Sequence, residues 1–507
     1  MATAFSPASA PVLSRAVRNS LGGAMILALG GCATYSPDGG LSVARETASR
    51  ELRQDTVRLR GPEDVARANE RVRLLLRSSL SADAAVQIAL LNNRGLQAAY
   101  NDLGIAEVQY VQAGLPPSPT LSLARLVSTG GTLEIERQLL VNILGLATLP
   151  QRRAIAEARF TQAQLRAAEE TLRLAGATRR TYYRAVASRQ LVAALTQAQS
   201  AARTASELFK RLGETGAVNR LDQAREHVFY ADVTAQLARA RLQERADRER
   251  LVRQLGLWSN VADLKLPGQL PGLPARALAR ENIEREALNK RIDLRIARLE
   301  IDGVGRQFDL TQWSRFLNVL EVRGILNNER SPVTETTYRL DNGNLVQDRH
   351  QEIERTRVSG LELEFQIPLD LGEGRIREAR EGYLRSVNRL IEKAVNVRSE
   401  AREAYQRYRG SYDFARHYQG QILPLRQIIA DESLLRYNAM LTDVFPLLQE
   451  ARARIAANAT AIEARRDFWI AATDLQLVVI GGAGAGGGGA EGASAAAVAG
   501  AGGAAGH

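Results

Sequence analysis

The run Leu133-Glu134-Ile135-Glu136-Arg137-Gln138 recurs as Leu361-Glu362-Leu363-Glu364-Phe365-Gln366. Each copy is followed by a helical start, Ile155-Ala156-Glu157-Ala158-Arg159 or Ile376-Arg377-Glu378-Ala379-Arg380, so the chain is an internal duplication. Alternation of apolar and charged residues is the period of a strand with one greasy and one charged face. A charged face buried in a closed core is costly. The pattern therefore points to the wall of a barrel, with lipid or core outside and water inside.

The rest of the chain is helical in character. Aromatics are 5% of the 507 residues, and Ala, Arg, Leu and Glu dominate, the composition of long helices rather than of a compact α/β enzyme. A formal charge of +11 is compatible with a nucleic-acid partner. Here Arg alternates with Glu along helices instead of clustering, which reads as a mixed-charge solvated surface and no nucleic-acid contact.

The single cysteine, Cys32, excludes a disulfide framework within the chain. Arg15 and Arg18 precede an apolar run from Leu21 to about Leu29, then Leu29-Gly30-Gly31-Cys32. Residues 1–31 have the layout of a bacterial secretory signal, too short to span a bilayer as a mature helix. Leu-Gly-Gly-Cys resembles the lipobox of bacterial lipoproteins, which implies a covalent lipid such as palmitate on Cys32. Ala33 in the next position leans towards outer-membrane delivery.

Residues 32–80 read as a polar, extended arm with one short helix. The first repeat, 81–257, opens at Ser81, a plausible N-cap for a helix to about Ala113. Gly114-Leu115-Pro116-Pro117-Ser118-Pro119 stops it. A β-hairpin over 120–141 turns at Ser128-Thr129-Gly130-Gly131, and a helical hairpin covers 150–257, its first arm crossing Gly176. On the second arm, Leu221, Ala224, Val228, Ala231, Ala235, Ala238 and Leu242 keep a strict 3-4 spacing, a seam of small residues that asks for a closely packed partner helix.

Residues 258–277, with Pro267, Pro271 and Pro274, join the repeats. The second repeat, 278–480, echoes the first at a constant offset of 198: Ala287-Leu288 to Leu294 and Ala297 match Ala89-Leu90 to Leu96 and Ala99. Its strands are expected at 316–323 and 360–367, flanking an exposed polar loop at 327–356, and its helical hairpin at 374–480 passes Pro424 and keeps a seam through Leu448, Ala451, Ile455, Ile462, Trp469 and Ala472. The Gly/Ala-rich stretch 481–507 reads as a disordered tail.

This order of parts resembles the TolC-type outer-membrane factors of bacterial efflux and secretion systems, over about Leu80 to Ile480. Ser81 to Asn93 is similar to the family's opening helix, Pro368-Leu369-Asp370-Leu371-Gly372-Glu373-Gly374-Arg375 to its strand-to-helix junction, and Leu435-Arg436-Tyr437-Asn438-Ala439-Met440 with Phe445 and Leu447-Leu448 to the second tip of its heavy-metal and cation-efflux branches. The resemblance implies a mainly α chain with four strands, duplicated, whose homotrimer closes a twelve-stranded β-barrel continued by a coiled-coil tunnel of twelve helices. Physics asks for part of this independently: four strands cannot close a barrel, and an open edge in lipid leaves backbone groups unpaired.

The implied function is a passive conduit, lipid-anchored in the outer membrane and reaching through the periplasm, fed by a periplasmic adaptor and an inner-membrane pump of RND rather than ABC type. The alternatives are a type I protein-secretion conduit and, of another class, a non-pore coiled-coil spacer lipoprotein. At the hairpin tips, Gly213, Gly216, Ala217, Val218, Asn219 and Arg220, with Asn438, Ala439, Met440 and Leu441, are the expected adaptor contacts. In the family the closed tip is held by Tyr, Arg and Asp links. Tyr437 matches the Tyr, while Thr442, Pro446 and Gln449 depart from the pattern, which leaves Asp222, Arg436 and Asp443, with Tyr437 and Gln449, as gate candidates. Glu134, Glu136, Glu362 and Glu364 are expected to line the pore and attract cations. No catalytic site, metal site or cofactor is expected: the four histidines, His227, His350, His417 and His507, lack ligand spacing, and no phosphate loop or nucleophile elbow occurs.

Overall fold

In a computed structural model of the chain, the described residues are 35–258, 264–279, 282–341, 344–442 and 444–481. Cys32, Asp443 and the tail beyond Gly481 lie outside them. The N-terminal arm holds α1 (Ser42–Thr47), which runs on into a π turn (Ala48–Leu52), and α2 (Pro62–Leu76). It is more structured than its polarity predicts, because Leu41, Ala44, Ala48 and Leu52 are buried in the main core. The extended piece between them is held by two glutamines: Gln87 exchanges hydrogen bonds with the backbone of Asp55 (3.0 and 3.0 Å), and Gln97 bonds Leu59 N and Val57 O (both 2.9 Å).

The expected opening helix is two, α3 (Ala82–Asn92) and α4 (Arg94–Ala113). Ser81 caps the first through Ala84 N at 3.1 Å, and Asn93, in extended conformation, ends it and caps the second through Leu96 N at 3.1 Å. Then come the strands β1 (Thr120–Val127) and β2 (Leu133–Asn142), a short α5 (Ile143–Ala147), and the first helical hairpin, α6 (Leu149–Glu214) and α7 (Arg220–Leu255). At 1.5 Å per residue, the 66 residues of α6 extend about 99 Å. Gly176 does not break it. A Cβ there would stand 2.1 Å from Leu477 Cδ1, so the glycine lets a second helix lie against α6.

The second repeat returns the same parts: α8 (Ile283–Lys290), α9 (Ile292–Trp313), β3 (Val319–Asp341), β4 (Asn344–Gln366), α10 (Glu373–His417), α11 (Leu423–Asn438) and α12 (Val444–Ile480). The breaks at Asn93 and Arg291 are 198 residues apart, the offset read from the sequence. The ends of both hairpins dock on these breaks. Gly256 (φ +69°) lies against the Asn92 carbonyl, and Gly481 (φ +99°) against Ile292 N, so closely that a Cβ would approach to 2.8 and 2.9 Å. Between α10 and α11 a π turn (Tyr418–Ile422) absorbs Pro424, whose ring cannot continue a regular α ladder.

Two expectations need correction. Residues 327–356 are not a loop: β3 and β4 pair without a bulge from Val319↔Gln366 to Asp341↔Asn344. The alternation continues through this stretch, but on polar residues, and polarity alone suggested a loop. The seam of α7 does not pack within its hairpin either. Val233, Leu237 and Ala240 face Leu195, Ala198 and Ala202 of α6, while Leu221, Ala224, Val228, Ala231, Ala235, Ala238 and Leu242 are all exposed. Two stripes of helical period run along α7, and spacing cannot say which one turns inward. The joint between repeats is a strap: Leu264, Leu266 and Leu270 are buried, the Pro271 carbonyl accepts from Trp469 Nε1 (3.0 Å), and Tyr412 Oη donates to Pro274 O (3.0 Å).

Candidate functional site

The four strands form one antiparallel meander, β1-β2-β3-β4, with the outer edges of β1 and β4 bare within the chain. Paired residues share a face. The register runs from Leu126↔Glu134 and Glu134↔Glu329 through Arg323↔Glu362 and Glu321↔Glu364, and it puts all four sequence-predicted glutamates on one face. Among described side chains that face carries Glu134, Glu136, Glu321, Glu329, Glu335, Asp348, Glu352, Glu354, Glu362 and Glu364 against Arg323, Arg339 and His350. Its groups bond to one another. Asn327 Nδ2 donates to Glu134, Ser331 Oγ to Glu329 (2.9 Å), and Arg323 reaches Glu362 and Glu364 at 3.1 and 3.4 Å.

The opposite face holds no carboxylate among the described side chains. Near the helices it is apolar and bare: Leu121 is 65% exposed and Leu361 84%, with Leu123, Leu326, Leu363 and Phe365 also exposed. Such a patch is a liability in water and the expected surface against lipid. No described helix is long and apolar enough to cross a membrane. The two faces of the sheet thus differ sharply in polarity.

About 100 Å away along α6, the two hairpins end in the same hydrogen-bond pattern. Gly216 N bonds Gly213 O (3.1 Å) and Ala217 N bonds Leu212 O (2.9 Å); Met440 N bonds Tyr437 O (3.0 Å) and Leu441 N bonds Arg436 O (2.9 Å). The left-handed position is Gly216 (φ +76°) in one tip and Met440 (φ +58°) in the other. A left-handed methionine costs about 1–2 kcal/mol where glycine costs none. Met440 is 93% exposed, beside Leu441 at 77%. Asn219 caps α7 through Asp222 N (2.9 Å), and Arg220 and Ala217 are exposed with Val218 partly so, as are Asn438 and Ala439 in the second tip.

Within the chain, the gate candidates pair locally. Asp222 is buried and meets Arg225 one turn on (3.2 Å), Arg436 meets Glu432 (3.2 Å), and Tyr437 and Gln449 are exposed. The link between hairpins comes from residues the sequence reading did not single out. Arg452 of α12 donates to Glu226 of α7 at 2.6 Å and lies 4.4 Å over the Phe229 ring; within the second hairpin, Arg426 of α11 meets Glu450 of α12 at 2.8 Å. Burial pushes the Glu226 carboxyl above its ordinary range, and the Arg452 guanidinium draws it back only in part. Glu226 Oε2 and Arg452 Nε have no partner. Nothing in spacing couples positions this far apart, so no sequence signal was available for the pair.

No protein-family model matches the sequence, and no curated protein matches it. Solved structures do. The chain is similar to CusC, whose structures describe conformational changes accompanying folding and transmembrane channel formation, with a TM-score of 0.63 at 14% identity over 79% of this chain and 92% of that one. It is also similar to the Campylobacter jejuni CmeC outer-membrane channel (0.57, 16%, 83% and 87%) and to the open state of the Neisseria gonorrhoeae MtrE outer-membrane channel (0.58, 15%, 78% and 88%).

Proposed function

From a chain that has the fold of the outer-membrane channels, we propose a passive outer-membrane conduit of a tripartite efflux system. The observation that carries this reading is the sheet: one face acidic, one face greasy, and two edges that a single chain leaves open. Unpaired edge groups in hydrocarbon cost several kcal/mol each, so neighbouring chains complete the wall. Three copies give twelve strands. The exposed stripe Leu221 to Leu242 on α7 supplies a matching helical contact between copies, since its small residues permit close approach. A coiled-coil spacer without a pore has no use for a sheet of two solvents.

In this reading the tips meet a periplasmic adaptor coupled to an inner-membrane pump of the RND type, through the bare Met440 and Leu441. A lipid on Cys32 adds a second hold on the membrane. The Glu226–Arg452 tie fastens one hairpin to the other close to the tip. Glu226→Ala is expected to loosen that end by about 1–3 kcal/mol, nearer the lower figure because Arg452 is more than a third exposed. The measurable outcome is a higher single-channel conductance in planar bilayers than the wild type shows.

The test of the whole reading is direct. Full-length protein extracted in detergent should conduct ions across a planar bilayer, and native mass spectrometry of the same preparation should give the mass of three chains. A monomer that passes no current would end the proposal.

A further inference from the structure

The greasy face of the sheet changes character along its length. Its rows nearest the helices are Leu320 with Phe365, Val322 with Leu363, and Leu121 with Leu139 and Leu361. Farther out come Arg125 with Ile135, Asn328 and Arg357, and then Arg330 with Arg355. Arg125, Arg330, Arg355 and Arg357 are exposed, and none makes an ion pair among the described residues; Arg357 alone bonds a neighbour, Asn328 Oδ1 at 3.2 Å. Every carboxylate described in the sheet is on the other side.

The spacing gives these arginines a level. From the Leu320 row to the Arg330 row is ten residues along β3, about 33 Å of strand. With strands tilted about 35–45° that is a height of about 23–27 Å, close to the apolar band of a membrane barrel. The arginines would stand where hydrocarbon ends and headgroups begin, on the distal side. Below them is a cleft of about 640 Å³ lined by Leu121, Arg137, Leu139, Leu326 and Leu361. Gly324 opens it, since a Cβ there would meet nothing nearer than the Leu139 carbonyl at 4.0 Å.

We propose that this arginine belt and the cleft beneath it form a binding surface for a phosphate-bearing lipid of the distal leaflet, the guanidinium forks taking the headgroup phosphates and the cleft an acyl chain. Arginine suits the task because its planar fork pairs with phosphate through two parallel hydrogen bonds. The inference rests on the membrane-spanning role proposed for the sheet.

The experiment uses the full chain in mixed micelles. A phosphorylated glycolipid is offered beside its dephosphorylated counterpart, bound lipid is counted by native mass spectrometry, and inorganic pyrophosphate serves as competitor. The wild type should retain the phosphorylated lipid, and the combined Arg125→Gln, Arg330→Gln, Arg355→Gln and Arg357→Gln protein should retain at least about tenfold less, from a gain per cation near a charged surface. Arg339→Gln, on the acidic face, should behave as wild type, and the four-lysine counterpart should keep part of the retention. Equal retention by wild type and the four-glutamine protein overturns the proposal, as does equal retention of the two lipids. Displacement by pyrophosphate at concentrations comparable to the lipid overturns it too, since the surface would then be an ion site. Conductance of the same preparations separates the two claims: a conducting channel without lipid preference defeats the belt alone, and a protein that never conducts defeats the channel.

Discussion

In the proposed conduit, replacing Glu134, Glu136, Glu362 and Glu364 together by glutamine is expected to remove most of a preference for cations. The four lie on one face in neighbouring rows, and among the described side chains that face carries ten carboxylates against two arginines. Lost carboxylates lower the cation concentration in the opening: a potential change of about 1 kcal/mol per unit charge corresponds to about a fivefold drop in cations and at least that in the cation-to-anion permeability ratio. The shape of the wall should survive, because glutamine keeps the volume and Asn327 retains an acceptor at position 134. Reversal potentials under a salt gradient measure the ratio. An unchanged ratio with unchanged conductance would mean that this face does not line the path.

Loss of the Arg291 side chain should cost more than any other single change near the helical core. Arg291 is 5% exposed at the break between α8 and α9. Its guanidinium takes both oxygens of Asp293, at 3.0 and 2.7 Å, and Glu400 of α10 at 2.6 Å. Asp293 in turn accepts from Leu294 N at 2.8 Å. Arg291→Ala leaves the buried Asp293 and the partly exposed Glu400 without their cation, a loss of about 3 kcal/mol. Thermal unfolding of the detergent-extracted protein, followed by helical circular dichroism, should show a lower midpoint for Arg291→Ala and a partial recovery when Asp293→Asn and Glu400→Gln are added. No recovery would assign the effect to lost packing of the arginine stem instead.

The duplication, the strands and the hairpins were legible because alternation and the 3-4 spacing are local signals that survive without knowledge of neighbours. Three things were not. The outer half of the β3–β4 hairpin alternates Glu335, Thr336, Thr337 and Tyr338 rather than charge and leucine, so composition suggested a loop where backbone pairing makes a ribbon. The helix breaks at Asn93 and Arg291 fall inside unbroken helical pattern and are set by what docks there, Gly256 and Gly481. The Glu226–Arg452 pair joins separate repeats and carries no mark in either. In each case the missing information is tertiary. That the four glutamates share one face could be read because the strand's own period fixes it; the tie between hairpins could not, because it depends on which helices meet.

The unlike residues at the two hairpin ends have a consequence for symmetry. Gly216 closes one end without strain and has no side chain to present, whereas Met440 closes the other under strain and presents a flexible thioether. In a ring of three chains the rim would alternate bland and greasy points. A docking protein would find three equivalent footholds around the circle instead of six, and the stoichiometry of the complete machine would be written into a single left-handed methionine.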